Sequence, residues 1–260
     1  MIHSYAQTNL QLYRQMETQG YAAADLALMR KAYDLTMRLT AASFRASGKP
    51  LLAHLVGTAS ILAALRQPVV NATAGLLHAA YALGDFGDGR YGITAAKRER
   101  VRLAVGERVE DLVNRYTTFD WNKHTIPVIR QRVGDLRAIE RDVLVIRLAN
   151  ELEDHLDYGV LYCGNGDKRR DYIRSPLNQS VDMARQLGFG ELAEELDRAF
   201  RETLAADVPI ALRTPNDYTY VQPPESLAPK TKVAARQFLD HRPKLARVIH
   251  PLASLVGLRS

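Results

Sequence analysis

Apolar residues recur at three- and four-residue spacing along nearly all of this 260-residue chain, and no stretch alternates for long with the β-branched enrichment of a strand. That periodicity predicts an all-α helical bundle, and glycine and proline divide it into segments. Residues 9–18 read as a first helix. Residues 25–46 read as a second, with Leu26, Met29, Tyr33 and Met37 on one face and Gly48 closing it. Pro50 suits the first turn of a third helix running to residue 66, and Pro68 opens a fourth running to residue 83. GDFGDGRYG, residues 84–92, holds four glycines and predicts a loop. Two shorter helices follow at 95–105 and 107–116, then an irregular piece with Trp121 and Pro127. A long helix at 139–156 carries the stripe Ile139, Val143, Ile146 and Leu152. A break at 158–168 and amphipathic helices at 176–187 and 191–206 complete a domain over residues 1–206.

Beyond residue 206 the composition shifts. Five prolines between residues 207 and 230 argue against regular structure, so this segment reads as a linker or a strap lying across the globule. Residues 231–260 predict a basic helical extension, with helices at 233–240 and 243–258 and Leu245, Val248 and Leu252 as a face for docking on the body or on a protein partner. The formal charge of +6 is concentrated there: residues 221–260 hold seven basic and two acidic side chains, against 28 and 27 in the first 220. The globule is nearly neutral, so no nucleic-acid partner is expected. The most apolar stretch, residues 51–65, is interrupted by His54, Gly57, Thr58 and Ser60 and falls short of the ~20 residues of a membrane span. The single cysteine, Cys163, cannot form an internal disulfide and reads as structural, and the N-terminus lacks a long apolar region. A cytoplasmic protein without membrane association is the expectation.

Polar residues that interrupt the apolar runs are the candidate functional groups. His54 and Thr58 stand four residues apart, His78 and Tyr81 three, and Asn150 and Asp154 four, so each pair shares a helix face. Each also reads as an ordinary hydrogen-bonded core residue, with Tyr81 an aromatic filler and Arg45 a brace at a helix end.

Arg45, then SGKPLLAHLVGTASILAAL, AGLLHAAYALGDF, GERVEDLVNRYT, DVLVIRLANELEDHL and ARQLGFGELAEELDRAF follow one another in an order that resembles the HD superfamily. Over about residues 25–200 the chain specifically resembles the hydrolase domain of the RelA/SpoT alarmone enzymes. The resemblance implies a site in which two histidines, the aspartate of a His-Asp dipeptide and a distal aspartate bind a divalent metal, usually manganese. Carried over residue by residue, the histidines are His54 and His78. The dipeptide's aspartate falls on Ala79, the distal aspartate on Asn150, and the acidic pair that activates water on Ala82 and Leu83. Arg45 and Asp154 sit where the family has an arginine and an asparagine that shape the nucleotide pocket.

A hard cation needs several anionic oxygens, and a methyl group and a neutral amide supply none. Manganese affinity should collapse, and no base is left for a metal-bound water. Alarmone hydrolysis by the family's mechanism is therefore not expected. The expectation is a dismantled metal centre without a cofactor. Arg45, Thr58 and Asn150 would bind a small anionic or phosphorylated molecule, and His54, His78, Tyr81 and Asp154 would be available for metal-free acid–base chemistry. Two further readings stay open. One is a zinc or iron site built on His54, His78 and an unconventional carboxylate, Asp85 or Asp154, with hydrolase or oxygenase activity. The other is a non-catalytic regulatory or interaction module using the strap and terminal helices. Asp85 and Asp88 also read as turn formers. DKRRDYIR, residues 167–174, reads as a solvated basic loop or a phosphate grip through Lys168, Arg169 and Arg170, and the charges of GERVEDLVNRYT as a solvated face.

Overall fold

Helices supply nearly all the regular structure in the computed structural model, which describes residues 5–174 and 177–222. In chain order they are α1 Asn9–Thr18, α2 Ala23–Leu39, α3 Leu51–Ala64, α4 Val69–Leu77, α5 Ala80–Leu83, α6 Ala95–Val105, α7 Glu107–Thr118, α8 Thr125–Gln131, α9 Ala138–His155, α10 Gly166–Arg174, α11 Leu177–Gln186 and α12 Gly190–Ala205. Short 3-10 turns span Val133–Asp135 and Ile210–Leu212, and Leu156–Tyr162 is a 3-10-like segment kinked at Asp157 and Tyr158. The expected all-α bundle is what the chain forms. Among the described residues no helix is long and apolar enough to cross a membrane.

α3 is the axis of the bundle. From His54 to Ala63 every residue is buried, as befits a helix that is apolar nearly all round, and it packs against α1, α4 and α9. Two glycines set the spacing. A Cβ on Gly57 would lie 2.6 Å from Glu153 Oε1 and 2.8 Å from Glu153 Cγ, so bare backbone lets α9 press its Glu153 side chain onto α3. A Cβ on Gly75 of α4 would collide with Leu62 Cδ1. The caps are local. Thr8 and Gln11 form a reciprocal box at the start of α1, and Asp25 accepts from Ala22 N at 3.1 Å at the start of α2.

Several expected boundaries move. The second helix stops at Leu39 instead of running to residue 46. The Thr36 and Thr40 hydroxyls donate back to Ala32 and Thr36 carbonyls, Ala42 turns left-handed at φ 60°, and Ser43–Phe44 (β1) pairs antiparallel with Tyr220–Val221 (β2). Gly48, at φ 85°, closes the turn that follows β1 and not a helix. The fourth helix breaks at His78–Ala79, where the His78 ring bonds the Gly75 carbonyl and α5 resumes in a new direction. The piece containing Pro127 is helical, because a proline in the first turn gives up an N–H that has no partner there. DKRRDYIR lies on α10 and not in a loop. The strap carries one 3-10 turn and β2. Its residues 223–230, and the helices expected at 233–240 and 243–258, lie outside the described residues.

Gly57→Ala is expected to cost about 1–3 kcal/mol, because the added methyl must push Glu153 off α3. Gly134→Ala, whose Cβ meets nothing within 4 Å, should change stability by less than about 0.5 kcal/mol. Urea titration of the two variants checks the contrast.

Candidate functional site

Three segments deliver the polar groups. The turn after β1, closed by Arg45 N donating to Lys49 O at 2.8 Å, carries Arg45 and Lys49. The first turns of α3 carry His54, and the last turn and a half of α9 carries Asn150, Glu153 and Asp154. Glu153, whose side chain is 1% exposed, accepts from His54 Nδ1 and from the Lys49 ammonium. Asp154 pairs with Arg45, and its Oδ1 lies 3.7 Å from His54 Nδ1. Burial alone would raise the Asp154 carboxyl, but Arg45, then His54 and Arg147, outweigh it and hold it well below the usual carboxylate range.

The break between α4 and α5 brings His78 alongside. The His54 and His78 rings meet edge to face with centroids 5.3 Å apart. His78 Nδ1 donates to Gly75 O at 2.7 Å, and its ring lies 4.9 Å from that of Tyr116. Burial and the neighbouring His54 push the His78 pKa down to about 3, so the ring is neutral near pH 7 with Nε2 as an acceptor. Four atoms around this cluster are buried without a hydrogen-bond partner among the described residues: His54 Nε2, Asn150 Oδ1, Trp121 Nε1 and Arg147 Nε.

Arg45 and Asp154 line two cavities. The first, about 200 Å³, is polar, with Lys49, His54 and Glu153 on the α3–α9 side and Arg169 and Tyr218 opposite. Arg169 from α10 donates to Asn165 Oδ1 at 2.8 Å and Asp217 O at 3.0 Å, and has no carboxylate partner among the described residues. The strap reaches this mouth because Thr214 N donates to Tyr162 O at 2.8 Å, Gly164 N donates to Asn216 O at 3.0 Å, and Tyr220 stacks on Phe44. The second cavity, about 340 Å³, is lined by His78, Ala79, Tyr116, Trp121, Arg147 and Asn150. Phe119 stacks on Trp121, the Arg147 guanidinium lies 5.3 Å from the Trp121 ring, and Arg147 also pairs with Glu151 at 2.8 Å.

Of the residues singled out from sequence, Arg45, His54, His78, Asn150 and Asp154 come together. Thr58 does not reach either cavity: its hydroxyl donates to His54 O at 3.1 Å and its methyl faces Gly75. Tyr81 turns away, because the break before α5 points it at α7, where its hydroxyl donates to Glu110 Oε1 at 2.8 Å. Glu110 is buried and held by Arg98, so the charges of GERVEDLVNRYT are not all a solvated face. Asp85 stays in its exposed loop, accepting from Gly87 N at 2.7 Å, and joins no ligand set. Glu153, Lys49, Tyr116, Trp121 and Arg147 were not singled out. For Glu153 the available signal was only its place three residues after Asn150, which does not by itself tell it from the carboxylates beside it.

Comparison with known proteins adds two findings. Residues 35–121, which take in Arg45, His54 and His78, match a family described as a domain of unknown function (DUF6817). Over 183 residues the chain is 27% identical to a protein of Mycobacterium leprae (strain TN) named a probable GTP pyrophosphokinase. That similarity covers 68% of this chain and 21% of the relative, so the chain spans about a fifth of the relative's length.

Proposed function

We propose that this chain is an HD-like domain, resembling the RelA/SpoT hydrolase domain, whose metal centre is dismantled, and that it binds a small phosphorylated or otherwise anionic molecule in the former hydrolase pocket. The observation that carries the proposal is the pairing of both site carboxylates with cations of the chain itself, Glu153 with Lys49 and Asp154 with Arg45. A divalent metal is what the resemblance implies. His54, Glu153 and Asp154 do offer ligand atoms within 4.8 Å of one another. Seating a dication there would set it against two half-buried cations and strip them of their partners, while Ala79 and Asn150 contribute no charge. The donor set does not fit a hard divalent ion.

An anion suits the same place. Arg169 brings charge-assisted donors that no carboxylate of the described residues occupies, and Arg45 and Lys49 stand across the cavity. The similarity to a relative named as a GTP pyrophosphokinase supports a phosphorylated ligand. The aromatic second cavity, walled by Tyr116 and Trp121 and internally charge-paired, suits an uncharged flat portion of that ligand. Proton transfer falls to His54. With Nδ1–H committed to Glu153, Nε2 carries the lone pair, and Glu153 stabilises the imidazolium formed when it takes a proton. His78, neutral, accepts a hydrogen bond.

The carboxylate–histidine cluster favours one second reading, a softer zinc or iron ion on His54, Glu153 and Asp154 in place of the set with Asp85. Elemental analysis of protein purified without a polyhistidine tag separates the two. The proposal expects no stoichiometric metal, and one equivalent of zinc or iron lost in Glu153→Gln would establish the second reading. Calorimetry with pyrophosphate is expected to show saturable binding that weakens about tenfold in Arg169→Ala. Saturable binding with no response to that substitution would sink the assignment of the pocket.

The His78 pKa has its own consequence for stability. Between the unfolded value of 6.5 and the folded value of about 3, the unfolded chain binds a proton that the folded chain does not, so stability falls as pH falls through this window. The contribution is about 1 kcal/mol per pH unit. Urea unfolding from pH 6.5 to pH 4.5 should show a slope shallower by about that amount in His78→Gln than in the unsubstituted protein.

A further inference from the structure

A third cavity, about 630 Å³, lies beyond the C-terminal end of α9, and nothing in the proposed function uses it. We propose that it is a second small-molecule site, for an organic cation that carries an N–H donor, a primary or secondary ammonium. Its walls are Tyr5, His155, Asp157, Tyr158, Tyr162 and Glu202.

His155 is 96% buried, since 4% of its surface is exposed, and its Nδ1 has no hydrogen-bond partner among the described residues. The ring is fixed. It meets Phe200 edge to face at 4.8 Å, and its Nε2 lies 3.7 Å from Glu151 Oε1. A carboxylate on the Nε2 side favours the proton there, which leaves the Nδ1 lone pair as an acceptor that the described residues do not satisfy. The next two residues but one add a second mark. Asp157 and Tyr158 are consecutive non-glycine residues in the left-handed region, at φ 53° and 57°, a conformation that persists only where the surroundings enforce it and that concentrates at functional sites.

The charge of the lining selects the ligand. Arg198, the cation at the wall, is already held by Glu195 and Glu202. Asp157 has no cationic partner among the described residues. An anion would meet an unpaired carboxylate and an imidazole lone pair. An ammonium would donate to the Asp157 carboxylate and lie against tyrosine rings whose faces carry negative potential, and a small shift of the wall that uncovers His155 Nδ1, which has no exposed surface in this structure, would let it donate there as well.

Titration of the full chain with putrescine, followed by calorimetry and by 1H–15N correlation spectra, tests the site. Saturable binding is expected, with amide shifts centred on residues 155–162. Tetramethylammonium, a cation without an N–H, should bind about tenfold more weakly, and neutral 1-butanol should not saturate. Asp157→Asn should weaken putrescine about tenfold while leaving pyrophosphate affinity unchanged, and Tyr162→Leu, an independent change at the opposite wall, should also weaken it. Lack of saturation, shifts centred elsewhere, tetramethylammonium binding as tightly as putrescine, or affinity unaltered in both variants would each overturn the proposal.

Discussion

One buried carboxylate governs the middle of this molecule. Glu153 is 1% exposed, and a carboxylate removed from water to that degree destabilises the fold by several kcal/mol unless charge and hydrogen bonds are brought to it. The missing Cβ at Gly57 lets Glu153 lie flat against α3, within reach of His54 Nδ1, and the Lys49 ammonium completes its shell. Lys49 can stand there only if the chain enters α3 through a tight turn, which is why Gly48 sits at φ 85° and why α2 has ended ten residues before. The same turn carries Arg45 to Asp154. A compact four-charge arrangement, two carboxylates and two cations, thus fixes the relation between the β1 turn, α3 and α9.

That arrangement also fixes the strap. β1 is held out of α2 by its pairing with β2, in which Ser43 lies opposite Val221 and Phe44 opposite Tyr220, so the segment after α12 returns across the first cavity and leaves Tyr218 at its mouth. Pairing so distant is invisible to local periodicity. Leu39, Ala41, Ala42 and Phe44 keep helical spacing past the true end of α2, and the competing strand contact decides the outcome. Where the signal is local the reading succeeds: α1 and α6 run over the residues their periodicity and breakers mark, and α9 is displaced by a single residue at each end. Pro127 and the charge-dense DKRRDYIR misled in the other direction, because each is compatible with a helix whose stability comes from packing one face and not from composition.

The site was legible to the extent that it depends on helix phase. His54, Asn150 and Asp154 lie on long continuous helices, and their spacing placed them on facing surfaces. His78 was legible as well, but the break that follows it was not, and that break rotates Tyr81 onto Glu110 and away from the histidines. Glu153 escaped because NELEDH is polar at five of six positions, so the phase of α9 alone cannot say which carboxylate meets Gly57. Thr58 shares a face with His54, yet the close approach of α4 at Gly75 consumes that face in packing. In each case the missing information was a distance between elements and not a property of one element.

Tethered cations differ from a bound metal in a way that shapes what the pocket can hold. A metal leaves ligand positions open to substrate, whereas Arg45 and Lys49 have their charge already matched by Asp154 and Glu153. The proposed anion would compete with those carboxylates for the same donors, so the gain from Arg45 and Lys49 would be a difference between two similar interactions and small. Arg169, bonded among the described residues only to an amide oxygen and a carbonyl, is the cation whose full attraction would be on offer. For the proposed anionic ligand, charge by itself would therefore yield modest affinity at the first cavity. Discrimination between such proposed ligands would come from shape and from the aromatic walls across the Arg45–Asp154 pair, where Tyr116 and Trp121 could select what the charged end cannot.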